Sequence, residues 1–257
     1  MAFLYFDETI QDSGAFIVGA LVISASDLSP VIKKQWGDMG LNPAVDEYKS
    51  STPKLNNPQS QLQRGFLSYL VQRERLALVV LPNGDRGNLG EYCTKLLLQL
   101  KEGGFIPDES SELFLDDNIR LSNTNRSLLG AEGIESYSKC CSIEHAGIQA
   151  ADHAAHALGS MLMEEMGLIT KRVRVGENSG YHPDELIELG FELWASIRYA
   201  LIGKNEYIEG LSPHPEDPAN PYFRVDGAGL YIAPTCNKEL EIQARKRFGI
   251  NYLGCIH

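Results

Sequence analysis

Acidic side chains follow apolar runs at two distant places in this chain. Ala2-Phe3-Leu4-Tyr5-Phe6 leads directly into Asp7-Glu8-Thr9, and Glu112-Leu113-Phe114-Leu115 leads directly into Asp116-Asp117. A buried strand sends alternate side chains to opposite faces, so one of Asp7 and Glu8 must face the interior. A carboxylate there is costly unless it is hydrogen-bonded, paired with a base or bound to a cation. A third acid lies in Gly147-Ile148-Gln149-Ala150-Ala151-Asp152-His153-Ala154-Ala155-His156. On a helical wheel Asp152, His156, Gln149 and His153 share an arc of about 100°, and Ala151, Ala155, Leu158 and Leu162 fill the neighbouring one. A polar strip bordered by alanine admits another layer closely, which sets Asp152 beside a sheet. Acids from two strand ends and a helix are what a two-metal phosphodiester site requires. Mg²⁺ takes oxygen ligands from a few carboxylates and keeps several waters. Two such ions about 4 Å apart activate a water and stabilise the leaving oxygen. The candidates are Asp7, Asp152 and either Asp116 or Asp117, with Asp116 preferred because it directly follows the apolar run.

The elements that must carry these residues are legible in outline. Gly14 to Ile23 is a second apolar run, joined to the first by the polar turn Gln11-Asp12-Ser13-Gly14, and reads as a hairpin. A short helix over Pro30–Trp36, capped by Asp27 or Ser29, is followed by a polar loop through Glu47-Tyr48-Lys49. A helix over Gln59–Arg73, a strand over Leu76–Leu81, a helix over Asn88–Glu102 closed by Gly103-Gly104, and the strand ending at Asp116-Asp117 come next. Ser138–Ile143 reads as a strand and Ala146–Met166 as a strong helix. Past Gly167 come a basic piece, Lys171–Val175, a helix over Pro183–Ile202, a proline-rich stretch over Leu211–Tyr222, a strand pair within Phe223–Ile232 and a final helix over Lys238–Phe248. This order suggests an α/β fold of the mixed-sheet kind with helices on the sheet, divided into an acidic-site domain at 1–166 and a C-terminal extension at 167–257.

The 257 residues are 43% apolar, enough for a substantial core, and no run of eighteen apolar residues occurs. The start lacks the basic and apolar regions of a signal peptide, so a soluble, cytoplasmic protein is expected. Cys93, Cys140, Cys141, Cys236 and Cys255 form no C-x-x-C pair, which points away from a disulfide framework and from a cysteine zinc site. A net charge of −11 excludes binding to nucleic acid through a general basic surface. It is compatible with an acidic enzyme that meets phosphates through divalent cations and a few local bases.

The opening Asp7-Glu8-Thr9, the tripeptide Glu47-Tyr48-Lys49, the strand end Leu115-Asp116-Asp117 and the helix stretch Gly147-Ile148-Gln149-Ala150-Ala151-Asp152 together resemble the family called domain of unknown function 3800. The resemblance covers roughly residues 1–165, with Thr9 and Ala150 standing where the family usually has serine and leucine. It implies a ribonuclease-H-like fold, an acid-lined cleft, and metal-dependent nuclease or related phosphoryl chemistry using Mg²⁺ or Mn²⁺. Asp7 would then bridge two ions, Asp116 or Asp117 would supply the second acid, and Asp152 would complete the site from the helix. Glu8 either orients a water or lies on the surface. Gln149 would reach substrate or a water, and Lys49 either neutralises the scissile phosphate or pairs with Glu47. From the resemblance also comes a place in a mobile element or defence system.

Two other functions fit the same residues. One is a non-catalytic assembly protein whose extension docks a protein partner or a second copy. The other is a hydrolase of a small phosphorylated metabolite, which needs a closed pocket, whereas an enzyme of RNA or DNA needs an open groove with bases such as Arg120, Arg126, Lys171, Arg172 and Arg174 along it. A zinc site built on His153 and His156 ranks below both, because the pair lacks the H-E-x-x-H pattern. Trp36 and Trp194 read as core or interface residues.

Overall fold

The computed structural model describes residues 1–52, 57–174, 182, 184–212 and 220–254. β1 (Ala2–Gln11) and β2 (Phe16–Ser24) form the expected hairpin, turned by a short 3₁₀ segment at Asp12–Gly14 and a left-handed Ala15. After α1 (Ser29–Asp38) and α2 (Pro58–Val71) come β3 (Arg75–Pro82), α3 (Leu89–Glu102), β4 (Ser111–Asp116), α4 (Asn123–Ala131), β5 (Ile134–Cys140) and the long α5 (Gly147–Glu165). Past it lie β6 (Arg172–Arg174), β7 (Leu186–Glu188), α6 (Leu189–Ile197), β8 (Lys204–Asn205), β9 (Tyr222–Arg224), β10 (Leu230–Ile232), α7 (Lys238–Ala244) and β11 (Ile250–Tyr252). The central sheet has the order β10-β3-β2-β1-β4-β5, and within it β2 alone runs against its neighbours. This is the mixed sheet of an α/β fold that the order of elements suggests.

All nine residues of β2 are buried, as a strand covered on both faces must be. On one face Tyr5, Val18, Val80 and Phe114 pack against α5, α2 and α6; on the other Leu4, Phe6, Leu81 and Leu115 pack against α3 and Leu129 of α4. The approach of α5 to β1 depends on Gly147, where a Cβ would run into the Tyr5 ring. Tyr5 is in turn fixed by its hydroxyl, which donates to Asp27 at 2.6 Å and accepts from the Leu28 amide at 3.0 Å.

Several expectations are corrected. β1 does not end before its acids: Asp7 to Gln11 stay paired to β2, from Asp7↔Ala20 to Gln11↔Phe16, although the pairing to β4 stops at Phe6. The strand expected at Ser138–Ile143 lies earlier, because the left-handed Gly133 turns the chain into β5 at Ile134 and a left-handed Lys139 ends the regular pairing. α4 was not anticipated. The helix expected over Pro183–Ile202 is confined to α6, since Leu186–Glu188 pairs with β6 instead. Phe223–Ile232 holds two strands that do not pair as a hairpin: β9 joins β8 and β11, whereas β10 lies parallel to β3 and completes the central sheet. The final helix is regular only to Ala244 and closes with a wider π turn over Arg245–Gly249. Val175, Pro183, Cys255 and most of the proline-rich stretch lie outside the described residues.

Candidate active site

Strand register sets Asp7 beside Asp116. β1 and β4 pair in parallel from Ala2↔Ser111 to Phe6↔Leu115, so the next residue on each strand is an aspartate. Both share the parity of Tyr5 and Phe114, whose rings stack at 5.4 Å on the α5 face. Glu8 has the opposite parity, yet at this strand end it remains close: Asp7, Glu8 and Asp116 each offer a carboxylate oxygen, all within 4.8 Å of one another. Asp7 and Asp116 are both 8% exposed. One Asp7 oxygen accepts from the Glu8 amide at 2.7 Å. Burial, then the charges of Asp116, Asp152 and Glu8, push the Asp7 carboxyl well above its ordinary range, against the opposing pull of that amide.

Glu8 carries the most informative single atom. Its side chain is 6% exposed and Oε1 accepts from Arg86 at 2.9 Å, but Oε2 is buried with no hydrogen-bond partner. An unpartnered buried carboxylate oxygen is expensive, and beside two other acids what it lacks is positive charge.

Asp152 projects from α5 toward the same edge and is 9% exposed. It stands outside the close trio and acts on Asp7 through its charge. Ser50 holds it, the amide donating to Oδ2 at 2.7 Å and the hydroxyl to Oδ1. Asp117 is exposed and also outside the trio. Gln149, 1% exposed, is taken up by the scaffold: Oε1 accepts from Trp36 Nε1 at 3.0 Å and from the Tyr48 amide at 2.8 Å, and Nε2 donates to the Ser142 carbonyl at 2.7 Å. It thereby fastens the 47–50 loop to α5. Lys49 Nζ lies 3.3 Å from both Glu47 and the Ser142 hydroxyl. Burial alone would pull its ammonium down, but Glu47, Asp116 and Asp7 outweigh that and hold it above its usual range. Buried His153 faces Tyr48, 3.3 Å from its hydroxyl, and His156 is exposed, so neither imidazole joins the trio.

Two open cavities of about 340 Å³ each flank the acids. One is lined by Lys49, Asp116, Lys139 and Ser142 among others, the other by Glu8, Arg86 and Arg120, and Asn118 borders both. Of the bases expected along a groove, Arg126 is spent on Ser136 and Ser138 of β5, while Arg172 pairs with Glu188 and Arg174 with Asp184. Ser50, Arg86 and Ser142 were not anticipated. Ser50 adjoins the Glu47-Tyr48-Lys49 stretch, but no local signal marks Arg86, which meets Glu8 from 78 positions away.

A set of three carboxylates, with one oxygen left over, is an all-oxygen donor set that fits a hard divalent cation such as Mg²⁺ or Mn²⁺ and offers no nitrogen or sulfur for zinc. Among the described residues no helix is long and apolar enough to cross a membrane.

No family model and no curated protein matches the chain. Among solved structures it is similar to the PCNA:RNase HII complex from Archaeoglobus fulgidus, at 16% identity and a TM-score of 0.37, over 77% of this chain and 88% of that one.

Proposed function

We propose that the chain is a divalent-metal-dependent phosphodiesterase of the nuclease kind, cleaving the backbone of RNA or DNA. The observation that carries this reading is the trio Asp7, Glu8 and Asp116, with the orphan Oε2 of Glu8, where β4 ends beside β1 in the central mixed sheet. Asp7 and Asp116 would hold Mg²⁺ or Mn²⁺, and Glu8 would add its free oxygen while Arg86 fixes the other. Held there, such ions would supply an activated water and neutralise charge on the leaving oxygen. Lys49, beside Asp116 in the same cleft, meets negative charge developing on the phosphate. Asp152, oriented by Ser50, keeps the field around Asp7 negative in readiness for cations. Gln149 is a positioning residue that holds Tyr48 and so the loop bearing Lys49 and Ser50. The resemblance to the domain of unknown function 3800 family agrees with this reading and rests on the four sequence stretches named above.

The test is a Mg²⁺ and Mn²⁺ titration with labelled RNA, single-stranded DNA and duplex DNA, using the wild type, Asp7→Asn and Asp116→Asn. The wild type should cleave at least one substrate only with metal, and each variant should lose about 10²-fold or more. Equal cleavage by all three proteins, or metal-independent cleavage, contradicts the proposal.

A further inference from the structure

The acidic trio lies between two cationic side chains that have no partner among the described residues, Lys139 on one side and Arg120 on the other. We propose that they mark the path of a polynucleotide backbone, each holding a phosphate that flanks the scissile one. This rests on the phosphodiesterase reading and narrows it: the substrate is a chain with phosphates on both sides of the cleaved bond.

Three observations support the path. The first is continuity. The Lys139 cavity and the Arg120 cavity meet at Asn118, and Arg120 also lines a third cavity of about 500 Å³ with Ser122, Asn125 and Lys95. The acids therefore lie along a row of open spaces and not at the bottom of an enclosed pocket, which a small metabolite would need. The second is placement. Lys139 sits in the left-handed region at φ 60°, where β5 carries an extra residue against β4 between Phe114↔Tyr137 and Asp116↔Cys140. That conformation is uncommon for lysine, and a bulge of this kind re-aims a side chain, here toward the cleft. On the other side, the Arg120 backbone is pressed against the start of α3 so closely that only a glycine fits at position 90. The third is selectivity of pairing. Arg86, Arg126, Arg172 and Arg174 are engaged by acids or carbonyls, whereas Lys139 and Arg120 are exposed with no partner among the described residues. On a chain of net charge −11, local uncommitted bases are what could guide a polyanion.

Binding is measured by fluorescence anisotropy with labelled single-stranded RNA and DNA of about 20 nucleotides, longer than the span of a single binding fold. Ca²⁺ replaces Mg²⁺, and the proteins are the full-length wild type, Lys139→Gln, Arg120→Gln and Lys139→Arg. Hydrolysis of bis(p-nitrophenyl) phosphate, which has no flanking phosphates, is followed in Mg²⁺ or Mn²⁺. Each glutamine variant should weaken oligonucleotide binding by about threefold to tenfold and lower the slope of log affinity against log salt by about 0.7. Lys139→Arg should recover most of the loss, and hydrolysis of the small diester should not change. Unaltered affinity and salt slope in both glutamine variants overturn the path. If the wild type hydrolyses neither the small diester nor, with Mg²⁺ or Mn²⁺ in place of Ca²⁺, the labelled oligonucleotides while the binding losses appear, the phosphodiesterase reading fails and the path stands. A loss with RNA but not DNA, or the reverse, supports the path and identifies the sugar.

Discussion

Asp7 concentrates the tension in this site. It is buried beside Asp116 and Glu8, and its carboxyl is held far above its ordinary range by burial and by those charges. The folded chain thus retains a proton that the unfolded chain releases. In the metal-free protein this contribution to stability is full below the unfolded carboxylate range and is lost as pH rises from there through the raised folded value. Asp7→Asn should therefore raise the metal-free stability at pH 7 by about 0.5–2 kcal/mol and flatten that decline. Urea midpoints measured against pH in EDTA check the sign. In the same experiment added Mg²⁺ should raise the wild-type midpoint and leave the variant unmoved. The sequence made Asp7 and Asp116 conspicuous, because each interrupts an apolar run. It left Glu8 undecided between site and surface, since only an orphaned oxygen and the distant Arg86 distinguish the two. Ser50 was invisible for a similar reason: its contact with Asp152 spans 102 positions.

The 47–50 loop has no regular hydrogen-bond ladder and borrows its shape from α5. Gln149 supplies that shape by accepting from Trp36 and Tyr48 and donating to Ser142. Gln149→Leu should destabilise the fold by about 2–4 kcal/mol, because it strands a buried indole N–H, a backbone amide and a carbonyl together. Chemical denaturation measures it, and a cost below about 0.5 kcal/mol would contradict the clamp. The polar stripe of α5 was readable from its periodicity, but not that Gln149 points into packing and Asp152 toward the sheet edge. Long regular elements were the legible ones: β2, β3, α3 and α5 lie close to where their apolar patterns put them. β5 was not, since its start and end are set by left-handed residues at 133 and 139. The pairing of β10 with β3 was likewise hidden, because three residues of an edge strand carry no pattern of their own.

The site depends on how the entire sheet is threaded. Asp7 lies in a hairpin near the start, Asp116 follows a crossover through α3, and Asp152 arrives on a helix that covers the opposite face. Residues beyond 166 take part too, with β10 completing the sheet and Leu201, Leu230 and Phe248 entering its core. In the proposed reading, cations at the trio and a few uncommitted bases beside it would reconcile the acidic net charge with a polyanionic substrate. Calorimetric titration of Mn²⁺ into the full-length protein tests the central claim most directly, with Asp116→Asn and Asp117→Asn as paired variants. Strand register predicts that the wild type and Asp117→Asn bind the ion with similar affinity and that Asp116→Asn loses at least about tenfold. Binding that survives at position 116 and fails at position 117, or wild-type protein that takes up no Mn²⁺, would contradict it.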